Sequence, residues 1–226
     1  MPFCGTIDNI MEDLIILGAG ASSQQIVDAI ADVNRRQPTW NVVGYLDDDP
    51  AKHGQCVNGV KVFGPLSSVR QFPGRVLIGM ASPMDRARRH RVNSKMDLPL
   101  DRFATVIHPS AFVAPSSLVG AGSAIMQNVV IIQNTSLGNH VIVAQNASIG
   151  HNVIVEDFVT IAAGALIAGL ARVREASYIG AQSAVNNGVT VNQSALVGLA
   201  AVVVKDVPVG MTVVGNPAKP IASKAR

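Results

Sequence analysis

From Ile107 onward the chain repeats itself. An aliphatic residue recurs at every sixth position, from Ile107, Val113, Val119 and Ile125 to Val203 and Val209, eighteen positions without an insertion. Four residues after each, the side chain is small or β-branched, as at Ala111, Ser117, Ser123, Val129, Thr135 and on to Val207. Six residues is neither a helical period nor a simple hairpin spacing. It predicts short parallel strands joined by tight turns, three hexads to a coil, with the aliphatic side chain inward and the small one at the corner. Gly, Asn and Asp at intervening positions supply turn conformations. Six coils at a strand spacing of about 4.8 Å make a triangular prism about 25–30 Å tall. Hexapeptide helices of this kind wind left-handed, an exception to the right-handed crossover rule. Residues 107–226 are therefore expected to form a left-handed parallel β-helix, with Val213 to Ile221 folding back along it.

The first half reads differently. Leu14-Ile15-Ile16-Leu17 is followed by Gly18-Ala19-Gly20-Ala21-Ser22-Ser23, then by apolar residues at helical spacing at Ile26, Val27 and Ile30. Strand, glycine turn and helix in that order cradle phosphate in doubly wound folds. Gly18 and Gly20 permit backbone approach, but Ser23 replaces the third glycine of the dinucleotide fingerprint. A second strand over Asn41–Leu46 ends in Asp47-Asp48-Asp49-Pro50. Those carboxylates either accept hydrogen bonds from a ribose or nucleobase or form a plain surface turn. A third strand over Arg75–Met80 contains Gly79. The arginines and histidine between Asp85 and Lys95 (Arg86, Arg88, Arg89, His90, Arg91) read as a solvated helix face in preference to a phosphate site. The expected organisation is an extension over residues 1–11, a Rossmann-like domain over 12–106 and the β-helix over 107–226.

Composition narrows the function classes. Apolar residues make up 48% but aromatics only 4%, which suits thin regular layers. A net charge of +3 is too mild to argue for nucleic acid and suits a small anionic ligand. Cys4 and Cys56 lack paired spacing and read as free thiols of a reducing compartment, so a cytoplasmic location is expected. No run of 18 apolar residues is present, and the first residues lack the pattern of a signal peptide.

Taken together, Leu17-Gly18-Ala19-Gly20, Gly44-Tyr45-Leu46-Asp47-Asp48, Ile107-His108-Pro109-Ser110-Ala111, Ile149-Gly150-His151-Asn152 and Val214-Gly215-Asn216-Pro217-Ala218-Lys219-Pro220 resemble the sugar acyltransferases of the sialic acid O-acetyltransferase and bacillosamine or perosamine N-acetyltransferase type. The resemblance covers residues 12 to 223. It implies an acetyl-CoA-dependent enzyme whose first domain holds a nucleotide sugar and whose β-helix holds acetyl-CoA, a homotrimer with the active site between neighbouring prisms. By position, Gly18, Gly20, Ala21, Ser22, Asp47, Asp48 and Gly79 would line the nucleotide-sugar pocket. Thr160, Gly169, Ala181 and Leu199 would lie along the coenzyme, with Thr160 standing where some relatives carry a second histidine. His151 matches the general base. Asn152 departs from the family's Asp or Glu, which orients the ring and raises its basicity.

Acetyl transfer needs a nucleophile that gives up its proton, and imidazole accepts and returns one near neutrality. One coil is eighteen residues, so Gly169 stacks above His151 and Gln133 below it, leaving room for a thioester and a backbone N–H for the oxyanion. The expected reaction is N-acetylation of a nucleotide-linked 4-amino-4,6-dideoxy sugar, with O-acetylation of sialic acid or a related sugar as one alternative. The other is a nucleotide-sugar-binding protein disabled at Asn152. His108 is expected to be structural, and His140 a remote contributor across the trimer interface at most. These histidines occupy the second, fourth and third positions of their hexads, which argues against the shared zinc of a β-helical carbonic anhydrase. Ser23 and the lack of a recognisable catalytic domain argue against a nicotinamide oxidoreductase. The last lysines, Lys219 and Lys224, are expected to be solvated, with coenzyme phosphates as the alternative.

Overall fold

The computed structural model describes residues 11–221. The ten residues before Met11, with Cys4, and the tail with Lys224 lie outside that range.

The α/β domain is built on β1 (Glu12–Leu17), β2 (Trp40–Leu46), β3 (Cys56–Val57), β4 (Val60–Gly64) and β5 (Arg75–Ile78), in the sheet order β3-β4-β2-β1-β5. β1 runs parallel to both neighbours, with Leu17 opposite Leu46 on one side and Ile78 on the other. Leu14 to Leu17 are buried without alternation, as a strand covered on both faces requires. On one face lies α1 (Ala21–Arg36), whose Ile26, Ala29 and Ile30 pack with Leu14, Ile16, Tyr45 and Leu77. On the other, α2 (Arg88–Met96) contributes Val92 and Met96 to a cluster with Ile15, Leu17, Val76 and Ile78. The carboxyl ends of β1, β2 and β5 therefore emerge on one side, where ligands bind in open α/β sheets.

The prism begins with the strand Val106–Ile107 and coils left-handed through three parallel faces of two-residue strands. Strand pairs stack eighteen residues apart, for example Ser148-Ile149 under Leu166-Ile167. The hexad column fills the centre: Ile125, Ile131, Ile149, Ile161, Ile167, Val173, Ile179 and Val197 are fully buried. The fourth residue of most hexads takes a left-handed backbone. Asn128, Asn134, Asn146 and Asn152 have φ of 56°, 57°, 60° and 58°. Asparagine tolerates that conformation far better than most L-residues, which is why it recurs at corners.

The column fails at its ends. Ile107 is 40% exposed because no coil lies beneath it, and Val209 is 67% exposed instead of inward. In the last coil the turn after Val203 is shortened: Val207 pairs with Val191, sixteen residues away, and Val207 and Val213 fill the core. Asp206 accepts the Thr190 N–H and holds that tighter turn. The chain then reverses, with Lys219–Ile221 antiparallel to Thr212–Val214.

One prism face carries the α/β domain. It is formed by strands such as Ala124–Ile125, Ile142–Val143, Thr160–Ile161 and Tyr178–Ile179, and its outward Ala124 and Ile142 join the core under α1. The domain also grips both edges of that face. At one edge Arg36 reaches the Pro109 carbonyl and Asp32 bonds His108; at the other Arg89 donates to the Phe158 and Val159 carbonyls.

Candidate functional site

The carboxyl ends of the adjacent strands β2, β1 and β5 enclose a cavity of 430 Å³. The turn after β1 contributes Gly18, Gly20, Ala21, Ser22 and Ser23; the segment after β2 contributes Asp47, Asp49 and Lys52; the segment after β5 contributes Gly79 to Ser82, Asp85, Arg86, Arg88 and Arg89. The sequence bends at Gly18 because only φ of +92° turns the strand into the helix. Gly20 caps α1 with no side-chain acceptor, and no acidic residue stands in its first turn. The first turn of this sixteen-residue helix thus lines the cavity with no side-chain cap and no acidic residue of its own. Gly79 has a different reason. A Cβ there would stand 2.4 Å from Ser23 Oγ, so strand end and helix touch only because the residue is glycine.

Asp47 and Asp48 separate in the structure. Asp47 is buried, and its Oδ2 accepts the Ala19 N–H at 2.7 Å and the Lys52 ammonium at 3.0 Å, while Oδ1 accepts the Asp49 N–H. Burial pushes its carboxyl upward, but these donors more than offset that and hold it below the usual aspartate value. It ties the turn after β1 to the end of β2. Asp48 is exposed, accepts the Leu66 N–H at 3.0 Å and does not line the cavity.

The arginine-rich segment departs from a uniformly solvated helix face. Arg88 is exposed and lines the cavity, and Arg91 pairs with Asp85. Arg86 donates to the Ser194 carbonyl of the prism at 2.8 Å. Arg89 is only 3% exposed, donates to the Met80 carbonyl at 2.7 Å and to prism carbonyls, and has its pKa pulled down to about 10 by burial. Helical spacing alone hides this; the signal is that the segment follows the carboxyl end of β5.

Ser22 and Ala81 also belong to a second groove of 260 Å³, between α1 and the covered prism face. Gln25 and Ile26 of α1 and, on the prism, Gln145, Thr160, Tyr178 and Ala181 are among its other walls. Thr160 is buried in this groove. Ala181 and Leu199 share one turn position with Gln145 and Ala163, so these four form a lane along one prism edge, with Leu199 exposed.

His151 stands on another edge. It follows the strand Ser148–Ile149 and precedes Ile154–Val155, at the corner between the two uncovered faces and opposite the covered one. Its Nδ1 lies 3.0 Å from Asn152 Oδ1; that oxygen only accepts, so the ring donates through Nδ1 and leaves Nε2 as the basic nitrogen. A Cβ at Gly169 would stand 2.6 Å from Nε2. Among the described residues the Gly169 N–H donates to no backbone carbonyl. The arrangement can take a proton at Nε2 and offer an N–H to a developing oxyanion in the coil above. Within one chain, however, His151 and Gly169 do not meet the cavity or the groove.

The other two prism histidines lie on the two remaining edges. His108 Nε2 contacts Asp32 Oδ2 at 2.9 Å and Nδ1 contacts Ser110. His140 is buried, stacked on Phe158 at 4.9 Å and edge-on to Phe103; burial pulls its pKa down to about 4. Among the described residues no three His, Cys, Asp or Glu side chains gather as a metal set, and no helix is long and apolar enough to cross a membrane.

The family described as the PglD N-terminal domain matches residues 13–92. The acetyltransferase domain of PglB from Neisseria gonorrhoeae FA1090 is 29% identical, with 93% of this chain and 100% of that one covered and a TM-score of 0.80. The same domain in complex with acetyl coenzyme A gives 28% identity, coverage of 94% and 100%, and a TM-score of 0.81. A mutant of perosamine N-acetyltransferase from Caulobacter crescentus, in complex with CoA and GDP-perosamine, is 26% identical over 95% of this chain and 99% of that one, with a TM-score of 0.82. No curated protein sequence matches the chain.

Proposed function

We propose that this chain, which belongs to the hexapeptide-repeat sugar acyltransferases, N-acetylates a nucleotide-linked 4-amino-4,6-dideoxy sugar with acetyl-CoA, as a cytoplasmic homotrimer. The observation that carries the reading is that the cavity at the α1 N-terminus and the groove on the prism are neighbours, sharing Ser22 and Ala81 as walls. A nucleotide in the cavity places its sugar in the groove, beside the lane of Ala163, Ala181 and Leu199 that suits the coenzyme. The solved relatives hold acetyl coenzyme A in one case and CoA with GDP-perosamine in another.

His151 then has to come from a second copy. It sits on the edge opposite the covered face, so a neighbouring prism must present that edge to the groove. The two uncovered faces carry Phe112, Val130 and Leu166 on one and Leu118 and Ile154 on the other, all exposed apolar side chains that packing between prisms would bury. In the assembled site the sugar amine attacks the thioester carbonyl carbon while His151 Nε2 takes the amine proton. The Gly169 N–H stabilises the oxyanion. The C–S bond then breaks and the imidazolium returns its proton to the departing thiolate, giving the amide and free CoA. Asn152 orients the ring without stabilising the imidazolium by charge.

The test is release of free thiol from acetyl-CoA against UDP-, GDP- and dTDP-linked 4-amino sugars. Turnover is expected with one of them and should fall by about 10²–10⁴-fold in His151→Ala. Unchanged turnover in that variant would remove His151 from the reaction. Nucleotide-sugar binding without any transfer would instead favour a binding protein disabled at Asn152.

A further inference from the structure

The charged groups around the cavity are compensated unequally. Asp47 is answered by Lys52 and Asp85 by Arg91, while Arg88 is open to solvent. Arg89 is different. It is almost wholly enclosed, yet among the described residues its only hydrogen-bond partners are the carbonyls of Met80, Phe158 and Val159, and its Nε has none. Among the described residues no carboxylate lies within ion-pairing distance of it. A buried cation without a counter-charge is costly, and three carbonyl dipoles compensate only part of it. A second polar group points the same way. Ser23 Oγ is buried without a partner among the described residues, on the cavity wall beside Gly79, one residue from the Met80 carbonyl that Arg89 holds. The uncapped N-terminus of α1 completes the set.

We propose that Arg89 is the fixed counter-charge for a diphosphate in this cavity, held beside Ser23 and the first turn of α1, and so a positioning residue for the ligand as well as a clamp between the domains. The diphosphate is that of the nucleotide sugar, so the assignment rests on the reading above. The carbonyls at both ends of the guanidinium hold it in place before any ligand arrives, which removes the ordering cost that a surface arginine would incur on binding.

Calorimetric titration of the full chain with UDP, GDP and dTDP, each against its uncharged nucleoside, separates charge from scaffold. In Arg89→Gln the preferred diphosphate should bind about 10–100-fold more weakly, with the nucleoside changed by less than about threefold. Arg89→Lys keeps the charge and should keep the diphosphate-to-nucleoside affinity ratio. Equal losses for nucleoside and diphosphate in Arg89→Gln would make Arg89 a clamp only, and unchanged diphosphate affinity would remove it from binding. If Arg89→Gln fails to fold, the ratio in Arg89→Lys and the wild-type melting temperature decide. Inorganic pyrophosphate should raise that temperature, and no rise would overturn the proposal. A rise with pyrophosphate but no binding of any nucleoside diphosphate would keep the anion site and sink the nucleotide-sugar reading.

Discussion

The α/β domain builds its cavity from three strand ends used once each: Gly18–Ser23 after β1, Asp47–Lys52 after β2 and Gly79–Arg89 after β5. The prism instead repeats one corner many times and changes a side chain on it. His151 occupies the same turn position as Gln133 below and Gly169 above, and the backbone around all three is alike. In the first region the architecture itself makes the site. In the second it makes a lattice of near-equivalent positions, and chemistry enters wherever one position is filled differently. A repeat tolerates such exceptions because each coil touches only its neighbours.

The sharpest test of that contrast is truncation of the two cores. Ile149→Ala, Ile161→Ala and Ile179→Ala should each destabilise the chain by about 2–5 kcal/mol in chemical denaturation. Being equivalent by repetition, they should cost nearly the same, whereas Ile15→Ala, Ile16→Ala and Ile30→Ala lie in unlike surroundings and should scatter. A prism series as scattered as the sheet series would break the comparison.

A smaller effect tests whether single corner positions carry the chemistry. Gly169→Ala puts a methyl against His151 Nε2 and should lower turnover by about 10–100-fold, with nucleotide affinity and melting temperature little changed. Asn187→Ala, one coil further at the same turn position, should leave all three as they are. Steady-state kinetics on both variants checks this, and equal losses in the two would deny Gly169 a special place.

The weakest effect concerns a corner position spent on the domain interface. His140 and Phe158 hold the left-handed backbone that asparagine or glycine fills at many other corners; their rings stack on each other and meet Phe103 and His90 edge-on. Burial holds the folded-state pKa of His140 near 4, below the unfolded value of about 6.5. The unfolded chain therefore binds the extra proton between those values. The contribution of His140 is complete above pH 6.5 and is lost as the pH falls toward 4, by about 2 kcal/mol at pH 5. Urea unfolding at pH 7.5 and 5 should show a smaller acid loss in His140→Asn than in wild type. The same loss in both would place the acid sensitivity elsewhere.

Much of the frame is legible along the chain. The six-residue column from Val113 to Val203 names the inward side chains of the prism, and strand, glycine turn and helix name the phosphate-facing end of β1. Asp47 and Asp48 could not be told apart, because which carboxylate turns inward depends on Ala19 and Lys52 arriving from other segments. Arg89 was hidden for a similar reason: its neighbours in sequence are solvated, and its burial comes from the prism. At the top of the prism, Val207 and Val209 both suit an inward place, and the short turn at Asp206 chose the former.

Periodicity by itself determined what points into the prism, since an aliphatic residue every six positions has only one dry side on which to go. It said nothing of which face would be covered, because all three faces share the period. Only the tertiary structure decided that, through Ala124 and Ile142 meeting the apolar side of α1. That one docking choice leaves His151 on the far edge, with an oriented ring and no substrate pocket of its own.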